Sequence, residues 1–168
     1  QQRCRFVTHH PQPILADPNP GLLRWSLHAL YDFFWLLAML LGSPWWLARS
    51  ALDRRFRTMV FARLGLGLPA LESSSARPRV LVHGVSVGEV KAAQALVRAL
   101  TAQRPDLEIA VSTTTDTGFA VARKLYPELL VVRFPLDLSP LVRRLLARVR
   151  PSAVVLVELE IWPNFLRE

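Results

Sequence analysis

Between Arg79 and Leu159, continuous apolar runs alternate with amphipathic segments, and this alternation constrains the fold more than any other feature of the sequence. The apolar runs predict strands, and the segments with a helical period predict the helices between them. The expected strands cover 79–85, 107–113, 129–134 and 153–159, and the expected helices cover 88–103, 117–125 and 140–149. Because the strands are apolar throughout, helices are expected on both faces of one parallel sheet. The predicted fold class is therefore α/β, with a Rossmann-like, doubly wound sheet.

Polar residues follow each expected strand. In an open parallel sheet, ligands bind outside the carboxyl ends of the strands. These ends read His-Gly-Val-Ser-Val-Gly-Glu (83–89), Ser-Thr-Thr-Thr-Asp-Thr-Gly (112–118), Phe-Pro-Leu-Asp (134–137) and Glu-Leu-Glu-Ile-Trp-Pro-Asn (158–164). One polar loop is common in proteins, but four along one crevice indicate a functional site.

The first of these loops excludes two nucleotide-binding motifs and leaves one enzyme class open. It contains neither the Gly-x-Gly-x-x-Gly of dinucleotide-binding folds nor the Gly-Lys-Ser/Thr of phosphate loops. It does match Gly-x-Ser-x-Gly, the nucleophile elbow of serine hydrolases, with Ser86 as the nucleophile. However, no histidine follows His83 in the chain, and the elbow ends the first strand rather than a later one. A membrane-bound α/β serine hydrolase remains an alternative.

Three carboxylates at strand ends are candidates for chemistry. Glu89 lies in the first turn of a predicted helix, where it either complements the helix dipole or acts as a general base. Glu158 and Glu160 are two apart, so they share one face of a regular strand. Glu158 directly follows a buried apolar run, where a carboxylate needs a partner or a function.

An apolar block precedes the sheet region. From Ala29 to Ala48 the only charged residue is Asp32, and aromatic residues lie toward both ends. A helix of this length rises about 30 Å, which matches the hydrocarbon thickness of a bilayer. Residues 29–48 are therefore predicted to be a membrane anchor that spans the bilayer. Because Gly42 to Pro44 interrupt the block, a helix that lies in the membrane interface is the alternative.

Basic residues follow the anchor and set the expected topology. Residues 49–78 form a basic amphipathic collar and linker, in which Arg54, Arg55 and Arg57 are predicted to contact anionic lipid. By the positive-inside rule, everything after the anchor is expected in the cytoplasm. Residues 1–28 are rich in proline and are predicted to form a disordered or weakly ordered arm.

The overall composition narrows the classes of partner that the chain is expected to bind. Lys and Arg number 21 against 13 Asp and Glu, so the net charge of +8 favours an anionic partner. Cys4 is the only cysteine, which excludes a disulfide framework and a cysteine-rich zinc site and fits a reducing compartment. No metal or cofactor is expected. A non-enzymatic basic module that binds membranes or polyanions is a further alternative.

The four strand-end motifs, taken in order, resemble the N-terminal half of the Kdo (3-deoxy-D-manno-octulosonic acid) transferases. The resemblance runs from about Tyr31 to Glu168 and includes the arginine-rich stretch that ends in Arg63-Leu64-Gly65. The sequence departs from the family pattern at Ile161, where leucine is expected, and at Gly84, where a bulkier residue is common.

The resemblance implies an inverting GT-B glycosyltransferase of two domains. It would transfer Kdo from CMP-Kdo to a lipid A precursor, lipid IVA, in lipopolysaccharide core synthesis at the cytoplasmic side of the inner membrane, without a nucleic-acid partner. Residues 79–168 would be an incomplete acceptor-binding domain, and CMP-Kdo would be bound mainly by a C-terminal half that this chain lacks. The fragment alone is expected to be inactive.

Individual roles follow from the same resemblance. Glu89 would be the general base, and Glu158 would stabilise the transition state. The implied substrate-binding residues are Ser86, Gly88, Thr113, Thr115, Asp137, Glu160 and Asn164.

Overall fold

A computed structural model describes residues 20–66, 68, 77–157 and 162–168, with the side chains of 20–25 outside the description. The helices are α1 (Pro20–Leu52), α2 (Arg54–Arg63), α3 (Val87–Ala92), α4 (Gln94–Gln103), α5 (Asp116–Leu125), α6 (Ser139–Val149) and α7 (Pro163–Arg167). The strands are β1 (Arg79–His83), β2 (Glu108–Thr113), β3 (Leu130–Arg133) and β4 (Ala153–Leu156).

The four strands form one parallel sheet in the order β3-β2-β1-β4. The chain builds the sheet outward from β1 to β3 and then crosses back to place β4 on the other side of β1. His83, the last residue of β1, therefore lies between Ser112 of β2 and Leu156 of β4. Ligands bind at such a reversal in open α/β sheets, so the loop after β1 occupies the central position.

Two hydrophobic cores cover the two faces of the sheet. Val82 and Val111 pack under α3, α4 and α5, whose buried residues include Val97 and Ala122. On the other face, Leu81 packs under α6 and α7 in a cluster that also contains Ala110, Val132, Phe134, Val142, Leu145, Val149 and Phe165. Because strand residues alternate between the faces, both sets must be apolar, which explains the unbroken apolar runs. The predicted Rossmann-like α/β class, with helices on both faces, is confirmed.

Two predicted elements have different bounds in the structure. The helix expected at 88–103 is divided at Ala93, whose ψ of −13° departs from regular helix geometry. Backbone hydrogen bonds continue on both sides of it, from the Ala93 N–H to the Glu89 carbonyl and from the Val97 N–H to the Ala93 carbonyl. The last strand is described only as far as Leu156 because residues 158–161 lie outside the described part of the chain.

Helix α1 continues through the predicted interruption at Pro44. Proline has no N–H, so the carbonyl of Leu40 loses its usual helical donor. The Ser43 hydroxyl donates to that carbonyl at 2.7 Å and replaces the missing bond. The helix is consequently longer than the block predicted at 29–48. Its first residues belong to the segment predicted as an arm, whereas residues 1–19 lie outside the description.

Helix α1 meets the length and composition expected of a membrane span. Residues 26–52 are apolar on average, with a mean hydropathy of 1.3 over the best window. Large apolar side chains of this helix, among them Phe33, Leu40 and Leu47, are exposed. The length and composition of α1 agree with the predicted membrane anchor.

Candidate functional site

The loop between β1 and α3 holds the carboxylate of Glu89 in a fixed position. Ser86 is the N-cap of α3 and Glu89 is its third residue, so the Glu89 side chain folds back over the start of the helix. The Ser86 hydroxyl donates to Oε1 of Glu89 at 2.8 Å, and the Val85 N–H donates to Oε2. Glu89 is 7% exposed, so its carboxylate is oriented by protein groups at the mouth of the loop rather than by water.

Gly84 allows this loop to close on Glu89. A Cβ atom at position 84 would lie 3.0 Å from Cβ of Glu89 and 3.3 Å from its carbonyl carbon. Such distances are shorter than ordinary contacts, so the loop would have to open to accept a side chain. The departure from the family pattern at Gly84 is therefore matched by a tight turn in this chain.

The loop after β2 is joined directly to the loop that holds Glu89. The Thr113 hydroxyl donates to the Val85 carbonyl at 3.0 Å, and the Thr115 N–H donates to the same carbonyl at 3.1 Å. The Thr115 side chain also caps α5 by accepting from the Gly118 N–H at 3.0 Å. The structure thus brings the predicted residues Ser86, Thr113 and Thr115 together beside Glu89, and Gly88 lies exposed in the first turn of α3.

Gly118 lets helix α5 approach this junction closely. A Cβ atom there would lie 2.5 Å from Oγ1 of Thr113, 2.8 Å from Oγ1 of Thr115 and 3.4 Å from the carbonyl carbon of Ser86. No side chain fits without moving both loops. The two strand ends consequently behave as one packed unit at the carboxyl edge of the sheet.

His83 lies beneath the loop as a neutral, buried side chain. Its Nδ1 is 2.8 Å from the Ser112 hydroxyl, and its ring packs against Phe134 and Phe165 with centroid distances of 4.6 and 5.8 Å. Burial lowers the pKa of His83 to about 4, so it carries no charge at neutral pH. Its Nε2 is buried without a hydrogen-bond partner. A histidine in this state supports the loop but is a poor proton acceptor at pH 7.

We expect acid to destabilise the fold through His83. An unfolded histidine has a pKa near 6.5, so the unfolded chain binds a proton that the folded chain rejects until about pH 4. Stability is fully present above pH 6.5 and is lost as the pH falls toward 4. The gap between the two pKa values corresponds to about 3 kcal/mol. Chemical unfolding between pH 4 and 7 measures this loss, and His83→Gln should flatten the dependence. An equally steep dependence in that variant would contradict the assignment.

Asp137 and Asn164, two of the predicted substrate-binding residues, are fully buried and hydrogen-bonded to protein groups. The Asp137 carboxylate accepts from the backbone N–H groups of Asn164 and Phe165, both at 3.0 Å, and so caps α7. Burial raises the pKa of the Asp137 carboxyl group. Nδ2 of Asn164 donates to the Asp137 carbonyl at 2.6 Å and to Oδ1 of Asp32 at 2.7 Å. These two residues therefore order the start of α7.

Asp32 has a structural role that the sequence analysis did not predict. It accepts from Asn164 and from both the N–H and the hydroxyl of Ser139, so it attaches α1 to the carboxyl edge of the sheet. Its signal was its position as the single charge in the apolar block. We call Asp32, Ser139 and Asn164 the Asp32 clasp.

A cavity of about 510 Å³ lies between α1, α2 and the loop after β2. Its walls are mainly apolar and are formed by Trp45, Trp46, Phe56, Met59, Val60, Leu64 and Leu136. Arg63 and residues 114–117 form its polar side. Because the same loop bonds to Val85, the cavity and Glu89 lie at one edge of the sheet.

The basic residues predicted to contact lipid lie on α2. Arg54, Arg55 and Arg57 are exposed, and the Asp53 carboxylate caps the helix by accepting from the N–H groups of Arg55 and Phe56. Arg63, at the end of α2, donates to the Phe134 carbonyl at 3.0 Å. Helix α2 is therefore bonded to the sheet at one end and presents arginines to solvent at the other.

Glu158 and Glu160 lie outside the described residues. Within the described residues, no group of three or more histidine, cysteine or acidic side chains could hold a metal ion.

The geometry of Ser86 differs from that of a hydrolase nucleophile. A nucleophile elbow holds its serine in a strained turn beside a histidine base. Here Ser86 has extended backbone angles, φ −118° and ψ 176°, and its hydroxyl bonds to Glu89. His83 bonds to Ser112 instead. The described residues thus give Ser86 a carboxylate partner in place of a histidine.

Comparison with known proteins settles the family. The family model described as 3-deoxy-D-manno-octulosonic-acid transferase (kdotransferase) matches residues 58–168. The chain belongs to the Kdo transferase family. The Kdo transferase of Bordetella pertussis is 35% identical over 150 residues, which are 86% of this chain and 32% of the relative. That of Chlamydophila psittaci is 30% identical over 148 residues, 86% of this chain and 34% of the relative.

The chain spans about a third of the length of these curated Kdo transferases. No solved structure gives a significant match. The predicted relationship to the Kdo transferases is nevertheless confirmed, and the family match covers the loop of Glu89 and the Asp137–Asn164 pair.

Proposed function

We propose that this chain is the acceptor-binding, N-terminal part of an inverting GT-B glycosyltransferase that transfers Kdo from CMP-Kdo to a lipid A precursor in lipopolysaccharide synthesis. The donor site belongs to a C-terminal domain, so these 168 residues by themselves do not catalyse transfer. The enzyme works at the cytoplasmic face of the inner membrane. Family membership over residues 58–168 supports the reaction class.

The observation that carries the proposal is the oriented carboxylate of Glu89 at the central strand end. An inverting transfer needs one base to take the proton of the attacking hydroxyl. Val85 and Ser86 hold the two oxygens of Glu89, yet each oxygen can accept a second hydrogen bond. An acceptor hydroxyl replaces or joins the Ser86 hydroxyl as a donor to Oε1.

The transfer step needs no base other than Glu89. The hydroxyl oxygen of the acceptor attacks the anomeric carbon of Kdo from the face opposite CMP. The bond between that carbon and the phosphate oxygen breaks, CMP leaves with the electron pair, and the hydroxyl proton moves to Glu89. A nucleotide phosphate leaves without a second acid. Glu158 stabilises the charge that develops in the transition state.

The surroundings of Glu89 suit an acylated, phosphorylated acceptor. The apolar cavity beside the loop after β2 offers a surface for acyl chains. Exposed arginines on α2 offer positive charge for phosphates. Asp137 and Asn164 contribute by fixing the start of α7, next to the segment that carries Glu158 and Glu160.

The direct test is a transfer assay with the full-length protein. It is mixed with CMP-Kdo and detergent-dispersed lipid IVA, and products are followed by mass spectrometry. We expect a mass increase of one or more Kdo units and release of CMP. A hydrolase would instead show labelling of Ser86 by a fluorophosphonate, lost in Ser86→Ala. A polyanion-binding module would bind heparin and lipid alike and transfer nothing. Either result would overturn the proposal.

We expect the α2 arginines to govern binding to anionic vesicles. Replacing Arg54, Arg55 and Arg57 by alanine removes three exposed charges next to the apolar helix. Association with phosphatidylglycerol vesicles, measured by flotation at low salt, should fall roughly ten- to hundredfold. High salt should remove most of the difference between the proteins.

A matched control variant distinguishes an effect of the position of the α2 arginines from an effect of the net charge of the protein. Alanine at Arg123, Arg144 and Arg148 removes the same charge from exposed positions of α5 and α6. If both triple variants lose the same affinity, net charge alone attracts the membrane and the assignment to α2 is wrong.

A further inference from the structure

One face of helix α1 lies against the rest of the protein, and the opposite face points away from it. Half-buried residues recur every three or four positions along it, among them Asp32, Trp35, Met39, Gly42 and Trp46. The outward face carries exposed apolar side chains, among them Leu30, Phe33, Phe34, Leu37, Leu40 and Leu41. A helix on a water-exposed domain has its apolar face inward. Here the outward face is apolar as well as the inward one, which indicates that lipid covers the outward face.

Helix α1 is attached at two distant points, first to the sheet domain and then to α2. Near the first, Asp32 accepts from Nδ2 of Asn164 at 2.7 Å and from the Ser139 N–H at 3.2 Å. Near the second, the Trp45 ring meets the ring of Phe56 in α2 edge-on at 5.5 Å, beside the cavity that Trp46 lines. Trp46 comes fourteen positions after Asp32 in the helix, a rise of about 21 Å.

These attachments are incompatible with a helix that crosses the bilayer upright. A span needs about 20 consecutive residues within the hydrocarbon. The stretch of α1 before Tyr31 and the stretch between Asp32 and Trp45 are each shorter than that. An upright span would carry the polar groups of Ser139 and Asn164 into the hydrocarbon, or would break their bonds to Asp32.

We propose that α1 lies in the plane of one leaflet, as an interfacial helix whose partner is the surface layer of an anionic bilayer, and that the Asp32 clasp holds it there. The outward apolar face enters the membrane about 5–10 Å below the boundary between headgroups and acyl chains. Helix α2 follows directly, so its arginines meet the headgroups. The carboxyl edge of the sheet then lies against the membrane surface.

Depth measurements distinguish an interfacial helix from a spanning one. The full-length protein carries Cys4→Ser, which removes the single cysteine of these 168 residues, and serine in place of any cysteine beyond them. It receives a fluorescent label through Leu30→Cys, Leu40→Cys or Leu47→Cys. It is reconstituted in vesicles of phosphatidylethanolamine and phosphatidylglycerol that contain spin-labelled lipids of known depth. We expect the three positions to lie at the same shallow depth and in the same leaflet.

The spanning alternative gives a different profile. Positions 30 and 47 would be separated by about 26 Å along the membrane normal, and an impermeant quencher would reach only one of them from outside. Position 40 would lie deepest. That profile would overturn the proposal whatever the enzyme's activity.

Two substitutions test the clasp itself. Asp32→Leu makes α1 more apolar and removes both acceptors, so the label at position 40 should move deeper as the helix leaves the domain. Asp32→Asn keeps an acceptor for Asn164 and for the Ser139 N–H, so the shallow profile should persist. Unchanged depth in Asp32→Leu would show that Asp32 does not hold the helix, and a deep label in Asp32→Asn would contradict the hydrogen-bond account.

Discussion

Glu89→Gln should reduce Kdo transfer by about 10²–10⁴-fold, because the amide cannot take the proton of the acceptor hydroxyl. The fold should survive the change. The amide oxygen can still accept from the Val85 N–H, and the amide nitrogen can donate to the Ser86 hydroxyl in place of the bond that runs the other way. Initial rates and melting temperature, measured on one preparation of the full-length protein, separate loss of catalysis from loss of structure.

The alternative for Glu89 is a purely structural role at the start of α3. In that case, Glu89→Gln would lower the melting temperature and leave transfer almost unchanged, because complementing a helix dipole contributes only about 0.3–1 kcal/mol. Glu128→Gln is the matched control, since Glu128 is an exposed carboxylate on the turn after α5. It should change neither quantity. Near-normal transfer in Glu89→Gln would remove the general base from the mechanism.

Asp137→Ala should cost about 3–6 kcal/mol of stability, because it removes a carboxylate that accepts two buried backbone hydrogen bonds at the start of α7. The N–H groups of Asn164 and Phe165 would be left without an acceptor in a closed environment. Thermal unfolding should shift down by roughly 6–20 °C for a chain of this size.

Two further variants, Asp137→Asn and Asp106→Ala, test whether the lost hydrogen bonds cause the loss of stability. Asparagine keeps one oxygen acceptor, so it should lose less stability than alanine does. Asp106→Ala removes an exposed carboxylate that is paired only with exposed Arg104, and it should leave the melting temperature nearly unchanged. If Asp137→Ala unfolds at the wild-type temperature, the cap is not a stabilising feature and Asp137 is available for substrate.

The fold could be predicted from the sequence because burial on two faces leaves a strong pattern. Residues such as Leu81 and Val82 enter opposite cores, so the strands had to be apolar at every position. The course of α1 through Pro44 could not be predicted in this way. It depends on one side-chain hydrogen bond, from Ser43 to the Leu40 carbonyl, which no periodicity records.

The candidate site was predictable in position but not in its bonding. The rule that ligands bind at strand ends brought Ser86, Glu89 and Thr113 to one place, where the structure has them. The same rule could not separate a carboxylate at the mouth of the loop from one that caps a helix. Asn164 bonds to Asp32 across 132 positions of the chain, a contact that only the folded structure reveals.

The hydrogen bond between Ser43 and the Leu40 carbonyl makes α1 a brace across the carboxyl edge of the sheet. If the Leu40 carbonyl had no donor, the helix could bend at Pro44, between its contacts near Asp32 and near Trp46. Because the Leu40 carbonyl accepts the Ser43 hydroxyl, the helix is continuous from Asp32 to Trp46. We expect a helix without a hinge to limit how far the loop after β2 and the start of α7 can separate, so an acceptor larger than the crevice between them should bind poorly.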